Sequence, residues 1–422
     1  MTAGGAKRTK QTPSARSALD QLLTPGPAPA PVAGFRWGAV GAGIKKRGGL
    51  DLALLVADRP VPAAAVFTKS LVKAAPVLLA AERVKSGLAQ AVLINAGCAN
   101  AATGKPGLAA AKTSSAAVAR ALGIDAKLVL PMSTGVIGVL LPAEKIVANA
   151  EPLIAAVSAD GLAQFARAIM TTDRGPKLVE AEARVGGKRV RVVGVAKGAG
   201  MIHPDMATTL ACVVTDARVS APLLRRALLA ATEATFNALT VDGDTSTNDT
   251  IVAMASGAAK NATLRAGDAG HRALTTAFTT VLAGLGRLIV ADGEGAEHLV
   301  TIRVEGAPSA KSATAIARTI ATSNLVKTAF YGKDPNWGRI LAAAGRAGVR
   351  FDPERAELRV ADVVLVRRGL ATGGDSDARA HEVMLRAEYE ITLRLGAGKF
   401  AATYLTCDLG PEYVRINADY RS

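Results

Sequence analysis

Short apolar runs alternate with longer helical patterns from about residue 34 to the end of this chain. Residues 52–56 and 91–95 are typical of buried strands, because both runs are short, apolar and closed by polar or glycine residues. Residues 108–122 are rich in alanine at helical spacing, and Gly123 stands where a helix C-cap is expected. This alternation predicts a mixed α/β fold.

The rest of the chain is interpreted by the same rules. We predict an amphipathic helix at residues 223–238 and further strands at residues 189–195, 211–214, 288–290, 300–304 and 389–395. Residues 1–32 are rich in Ala, Pro, Gly, Thr and Ser, and such a segment buries too little apolar surface to offset the entropy of ordering it. We therefore predict a disordered tail over residues 1–32, followed by the folded part.

The composition is globular, with 50% hydrophobic but only 4% aromatic residues, so small side chains must build the core. The formal charge is +16, but the basic residues are scattered, which favours a solvated basic surface over a nucleic-acid partner.

Three widely spaced cysteines indicate a reducing compartment. The longest uncharged apolar stretch, residues 128–143, contains two prolines and is too short for a bilayer span. We expect a cytoplasmic protein without a membrane partner.

The usual catalytic motifs are missing from the sequence. It contains no G-x-S-x-G elbow, no phosphate-binding P-loop and no H-E-x-x-H pair. The four histidines are dispersed along the chain, and each is better explained as a surface or packing residue than as a metal ligand. We therefore expect no metal and no cofactor.

Glycines and small hydroxyl residues occur inside apolar surroundings in three segments, residues 132–138, 197–210 and 240–249. A Thr134-Gly135 turn can aim a hydroxyl and backbone N–H groups at one point, as an oxyanion site does, and an ordinary turn is the alternative. In the second segment a glycine-containing loop leads through Thr208 into a buried run, as an N-terminal nucleophile requires, and a plain connection is the alternative. The third segment has Thr247 where an EF-hand needs glycine, so turn and capping hydrogen bonds are favoured over calcium binding.

Eight segments occur in this order: NAGCAN (95–100), STGVIG (133–138), TTD (171–173), the loop 197–210, VDGDTSTND (241–249), DGEG (292–295), DPNWGR (334–339) and YVRINADY (413–420). Together they resemble the ornithine acetyltransferases of arginine biosynthesis, also known as the bifunctional glutamate N-acetyltransferase family. No single segment carries the resemblance, which rests on all eight occurring in the family's order from about residue 34 to the end.

The resemblance implies a four-layer α/β/β/α core and self-cleavage between Ala207 and Thr208. The tail 1–32 then precedes an α chain of residues 33–207, and the β chain consists of residues 208–422. It assigns the nucleophile to Thr208 and the oxyanion hole to Thr134 and Gly135. The substrate contacts that it implies are Thr171, Lys197, Thr208, Glu294, Asn417 and Ser422. Two departures stand out, since Arg174 occupies a position where threonine is usual, and Thr209 one where methionine is frequent.

The implied reaction moves an acetyl group from N2-acetyl-L-ornithine to L-glutamate through an acetyl-Thr208 intermediate, with acetyl-CoA as a further donor in bifunctional members. The cleaved chains are expected to assemble as an α2β2 heterotetramer. A self-processing amidase or aminopeptidase of the same fold, in which water accepts the acyl group, is the nearest alternative. A basic protein that binds nucleic acid without catalysis is an alternative of a different class.

Overall fold

The computed structural model describes residues 15–24, 26–203 and 209–419, so the candidate residues Ala207, Thr208 and Ser422 lie outside the described part. The helices are α1 (Ala15–Leu23), α2 (Ala75–Arg83), α3 (Gly104–Leu122), α4 (Ala143–Ala148), α5 (Ala150–Ala155), α6 (Leu162–Ala168), α7 (Ala221–Ala234), α8 (Ala269–Ala291), α9 (Ala310–Ala321), α10 (Asn324–Tyr331), α11 (Trp337–Gly345), α12 (Ser376–Met384) and α13 (Pro411–Asp419). The strands are β1 (Phe35–Val40), β2 (Leu52–Phe67), β3 (Leu88–Cys98), β4 (Val129–Val136), β5 (Lys177–Val185), β6 (Lys188–Lys197), β7 (Leu210–Thr215), β8 (Thr250–Ala255), β9 (Leu299–Ala307), β10 (Glu357–Val360), β11 (Val363–Arg367), β12 (Leu370–Ala371), β13 (Glu388–Arg394) and β14 (Phe400–Cys407).

The long strand β2 joins two halves of one large sheet, whose strand order is β4-β3-β2-β8-β7-β6-β5 with β1 paired to β2. The first part of β2 pairs with β1 and β3, and its last part, residues 63–67, pairs with β8. Side chains from both halves, such as Trp37 and Ile94 from one and Val195 and Cys212 from the other, share one buried cluster. The two halves therefore pack face to face.

Helices cover both outer faces of this sheet pair. Helices α3, α4 and α5 pack on the first half, and α7 and α8 pack on the second. Along β7, Leu210 and Cys212 face the inner cluster whereas Ala211 and Val213 face α7 and α8, as the two-residue period of a strand requires. The four-layer α/β/β/α core implied by the resemblance is confirmed.

A second sheet follows in the chain, with strand order β12-β11-β10-β13-β9-β14. Helices α9 to α12 pack against it and share its buried cluster, which is separate from those of the large sheet. Its strand β14 contacts the segment that follows α7, because Leu405 accepts a hydrogen bond from the Thr240 amide at 2.8 Å. This contact places the start of the 240–249 segment beside the second sheet.

The strand predicted at residues 288–290 is wrong, since these residues belong to α8. That helix begins at the N-cap Asp268, whose carboxylate accepts from the His271 amide, and it continues unbroken for 23 residues. An apolar run of three residues is too short to distinguish a buried strand from a segment of a buried helix. Among the described residues, α8 is the one helix long and apolar enough to span a membrane by length and composition, and it packs on β5 and β6.

The tail predicted for residues 1–32 is wrong over residues 15–23, which form α1. Leu19 is fully buried and Leu23 nearly so, and their spacing of four residues puts both on one helix face. This face packs against α8 and joins the cluster on the outer side of the sheet. The apolar pair supplies the buried surface that the overall composition of the tail did not reveal.

Candidate active site

A cleft lies where the C-terminal ends of β4 and β6 meet the loops around them. Six of the residues that the resemblance singles out line it together: Thr134, Gly135, Thr171, Lys197, Glu294 and Asn417. They come from the end of β4, the turn after α6, the end of β6, the loop after α8, and α13. The other predicted residues, Ala207, Thr208 and Ser422, lie outside the described part of the chain.

The turn at Thr134-Gly135 is held by close packing of two backbones. Gly135 has φ +129°, and a Cβ at this position would lie 2.4 Å from the carbonyl carbon of Gly97. Only glycine fits such an approach. The Asn248 side-chain amide donates to the carbonyls of Ala99 and Ser133 at 2.7 and 2.8 Å, so it ties the ends of β3 and β4 together. The end of β4 is therefore rigidly placed at the cleft.

The Thr134 hydroxyl is oriented by Lys197. The Lys197 ammonium donates to Thr134 Oγ1 at 3.0 Å, which occupies the oxygen as an acceptor and leaves the hydroxyl hydrogen available to another group. Burial lowers the pKa of Lys197, while the Asp173 and Glu294 carboxylates oppose this shift. The pair can thus present one polar hydrogen and one nearby positive charge to a developing oxyanion.

A buried ionic cluster lies next to the cleft and holds its backbone in place. The Asp173 carboxylate accepts from Lys177 Nζ and the Gly198 amide, both at 2.6 Å, and from the Thr171 amide at 3.0 Å. Burial opposes ionisation of Asp173, but the Lys177 and Lys197 ammonium groups outweigh it and hold the pKa of this carboxyl below its usual range. Asp292 binds the other side of Lys177 at 2.5 Å. These contacts fix Thr171 and the start of the 197–210 loop.

Glu294 forms the opposite wall. Its carboxylate accepts from Asn417 Nδ2 at 2.8 Å, and its amide donates to the Ala199 carbonyl at 2.8 Å. A Cβ on Gly200 would lie 2.3 Å from the Glu294 carboxylate, so this glycine is needed for the carboxylate to approach the loop. The cleft therefore contains a cation at Lys197 and an anion at Glu294, a charge pattern that matches an amino acid with an α-carboxylate and a cationic side chain.

The oxygen-rich segment 240–249 anchors the loop that precedes the predicted cut. Asp242 accepts from the Met201 and Ile202 amides at 2.5 and 2.8 Å, and from the Asp244 amide at 3.2 Å. The last bond is the Asx-turn expected from the sequence, so turn bonding accounts for this segment among the described residues. The anchoring of a second loop was not predicted, because it depends on a contact 41 residues away in the chain.

Asp249 is a buried acid that sequence reasoning missed. It lines a smaller recess beside the cleft, together with Thr209, Thr134 and Lys197. Its Oδ2 atom has no hydrogen-bond partner among the described residues. Burial raises the pKa of Asp249 well above the usual value of 3.8, against the opposing effects of Ser246 and Lys197. The surroundings of Asp249 therefore favour its neutral, protonated form.

We expect Asp249→Asn to raise the melting temperature at pH 8 and to leave it nearly unchanged at pH 4. Above the unfolded pKa, the unfolded chain releases the Asp249 proton while the folded chain keeps it, so wild-type stability falls as pH rises toward the folded pKa. Asparagine has nearly the same shape as aspartate but does not titrate, so the substitution removes this pH dependence of stability. The same substitution at the exposed Asp244 is the control, and equal effects of Asp249→Asn at both pH values would contradict a neutral carboxyl.

Within the described residues, Glu297, His298 and Asp408 have ligand atoms within 4.8 Å of one another, as metal ligands do. Two lysines compete with a metal there, since Lys333 Nζ lies 3.2 Å from Glu297 and the Lys327 ammonium acts on the Asp408 carboxylate. Asp408 also accepts from the Glu297 and His298 amides at 2.9 Å. The group lies just before β9 and just after β14, at one end of these two strands of the second sheet, and its neighbours favour a buried polar cluster over a metal site.

Comparison with known proteins points to one family. The sequence profile of the ArgJ family matches residues 36–422. The arginine biosynthesis bifunctional protein ArgJ of Geobacter sulfurreducens is 49% identical over 391 residues, covering 93% of this chain and all of the relative, and that of Desulfotalea psychrophila is 46% identical over the same coverage. A crystal structure of the ornithine acetyltransferase from Mycobacterium tuberculosis, complexed with ornithine, is 38% identical with a TM-score of 0.37, covering 42% of this chain and 94% of that chain.

Proposed function

This chain belongs to the ArgJ family of arginine biosynthesis, and we propose how its cleft moves an acetyl group from N2-acetyl-L-ornithine to L-glutamate. The observation that carries the proposal is the convergence of Thr134, Lys197, Glu294 and Asn417 on one cleft from distant parts of the sequence. Incubation with N-acetylornithine and glutamate tests it. Formation of ornithine and N-acetylglutamate in equal amounts supports transfer, whereas release of free acetate would favour the amidase alternative.

The proposed nucleophile is Thr208, made available by cleavage after Ala207. A threonine hydroxyl is a poor nucleophile at neutral pH and needs a base, and a free α-amino group with a pKa of about 7.7–8.0 supplies one within the same residue. In the precursor, the Thr208 hydroxyl attacks the Ala207 carbonyl, and water opens the resulting ester. The neighbouring Thr209 supports this assignment, because it lines the recess beside Thr134 and its hydroxyl donates to the Lys197 carbonyl.

The sheet order supports the view that the two cleaved chains stay together. Strands β7 and β8, which follow the cut, lie between β2 and β6, which precede it. β7 pairs antiparallel with β6, and β8 pairs antiparallel with β2. Hydrogen bonds on both sides of the inserted pair therefore bind the proposed α and β chains to each other, and the apolar clusters of both faces cross the same boundary.

The proposed turnover has two steps that share one oxyanion site. Thr208 Oγ attacks the acetyl carbonyl of N-acetylornithine, its proton passes to the α-amino group, and that proton leaves with ornithine as the C–N bond breaks. Thr134 and the Gly135 amide stabilise the oxyanion. The glutamate amine then attacks the acetyl ester and gives up a proton to the α-amino group of Thr208, which passes it to Thr208 Oγ as that oxygen leaves. No metal or organic cofactor is needed, because the nucleophile, the base and the oxyanion donors all come from the chain.

Charge complementarity assigns the substrate contacts. Lys197 is placed to pair with the α-carboxylate of either amino acid, and Glu294 with the cationic side chain of ornithine, while Asn417 holds the Glu294 carboxylate at 2.8 Å. We also assign contacts to Thr171 and Ser422, the first of which lines the cleft.

Since the relatives are named bifunctional, we propose acetyl-CoA as a second donor, which an acetyl-CoA:glutamate assay tests. An α2β2 assembly in the cytoplasm stays a prediction.

We expect Glu294→Gln to raise KM for N-acetylornithine by about 10- to 100-fold, because a hydrogen bond to a charged group contributes roughly 1.5–3 kcal/mol. Glutamate carries no cationic side chain, so its KM should change much less. Initial rates with each substrate varied in turn measure both constants. Equal increases in the two KM values would contradict the assignment of Glu294 to ornithine.

A further inference from the structure

Helix α1 lies before residue 36, where the match to the family begins, and yet it is docked on the folded core. Leu19 is fully buried among side chains of α8, and Leu23 is nearly so. On the same helix, Asp20 forms an ion pair with Arg174 at 2.5 Å. The helix therefore makes both an apolar and an ionic contact with the part of the chain that builds the cleft.

Arg174 connects α1 to the ionic cluster beneath the site. Its Nε donates to Asp292 at 2.9 Å and its Nη2 to the Ala291 carbonyl at 2.7 Å, while its own amide also binds the Asp292 carboxylate. Asp292 in turn binds Lys177, which holds Asp173. A continuous set of hydrogen bonds thus runs from α1 to the amides of Thr171 and Gly198 at the cleft.

The backbone of this turn is shaped to accept α1. A Cβ on Gly175 would lie 2.8 Å from the carbonyl oxygen of Leu23, at the end of the helix, so the turn and the helix touch through their main chains. The neighbouring Arg174 is also one of the departures from the resembled pattern.

We propose that α1 is a positioning element for acetyl transfer, which holds Arg174 and thereby fixes the 171–177 turn that forms one wall of the cleft. The proposal rests on the function proposed above. Asp20 is 53% exposed and Arg174 28% exposed in their side chains, and such pairs are individually weak. The buried Leu19 therefore supplies most of the docking, and the ion pair sets the orientation of Arg174.

Leu19→Ala tests the proposal, with Leu22→Ala as the matched control, because Leu22 lies on the same helix but is 39% exposed. We expect Leu19→Ala to raise KM for N-acetylornithine by about threefold to tenfold with kcat changed less than about twofold, and Leu22→Ala to leave both constants unchanged. Asp20→Asn should raise KM by about twofold to threefold alone and add little in the Leu19→Ala background, since both changes release the same contact.

Melting temperatures measured on the same preparations separate positioning from folding. A Leu19→Ala protein with a lowered melting temperature but wild-type KM would overturn the proposal, as would full additivity of the two substitutions. If Leu19→Ala fails to fold, the proposal is tested by comparing Asp20→Asn with the conservative change Asp20→Glu. Asp20→Glu keeps the negative charge and should keep KM near the wild-type value, whereas Asp20→Asn should raise KM. An inactive wild-type enzyme in this assay would refute the proposed function instead.

Discussion

Thr208→Ala is expected to leave the protein as one uncut chain of 43.0 kDa and to lower acetyl transfer by a factor on the order of 10⁴ or more. Alanine removes both the attacking oxygen of self-cleavage and the oxygen that carries the acetyl group. The base is lost as well, because without cleavage no α-amino group is freed at this position. A denaturing gel and an assay of ornithine release measure the two effects.

Thr209→Val is the matched control for this change. Thr209 is the adjacent threonine, and its hydroxyl donates to the Lys197 carbonyl, so it already has a structural use. We expect Thr209→Val to be cut into the same two chains, of 207 and 215 residues out of 422, and to retain most of its activity. An uncut and inactive Thr209→Val protein beside a cut and active Thr208→Ala protein would move the nucleophile by one residue.

Thr134→Val is expected to lower kcat by about 10²- to 10³-fold, the usual effect of removing one oxyanion donor. Valine has nearly the shape of threonine, so the close packing at the neighbouring Gly135 is kept while the hydroxyl is lost. The change also removes the acceptor of the Lys197 ammonium. We expect slower self-cleavage too, because the same donors serve both steps, and kcat should therefore be measured on protein purified after cleavage.

The control for Thr134→Val is Thr172→Val, which makes the same change at another threonine that lines the cleft. Thr172 has no role in the proposed chemistry, so the kcat of the Thr172→Val enzyme should stay within about threefold of the wild-type value. Equal losses in the two variants would show that the cleft responds to any lost hydroxyl. That outcome, or wild-type turnover in Thr134→Val, would exclude Thr134 as an oxyanion donor.

Part of the fold is predictable from local patterns, because central strands of the large sheet such as β7 and β8 are buried on both faces and appear as short continuous apolar runs. Residues 211–214 were predicted as a strand on this basis and form β7. The same rule failed at residues 288–290, where a buried helix gives an identical run. Helix α1 was missed for a different reason, since two leucines decide its docking while proline and alanine dominate the average composition around them.

The site is predictable in part, because glycines and hydroxyl residues inside apolar segments are visible in the sequence. The sequence alone points to Thr134 and Lys197, which lie 3.0 Å apart in the structure. The supporting roles of Asn248 and Arg174 are not predictable, since Asn248 donates to carbonyls more than 100 residues away and Arg174 acts through Asp20 and Asp292. Such partners are set by tertiary packing, and no local pattern marks them.

The proposed mechanism is tested most directly by the intact mass of the purified protein before and after brief incubation with N-acetylornithine alone. We expect two chains, the second beginning at Thr208, and a gain of about 42 Da on the second chain that maps to Thr208 and disappears when glutamate is added. A single chain of 43.0 kDa, or two chains of which neither gains an acetyl group while transfer to glutamate proceeds, would contradict it.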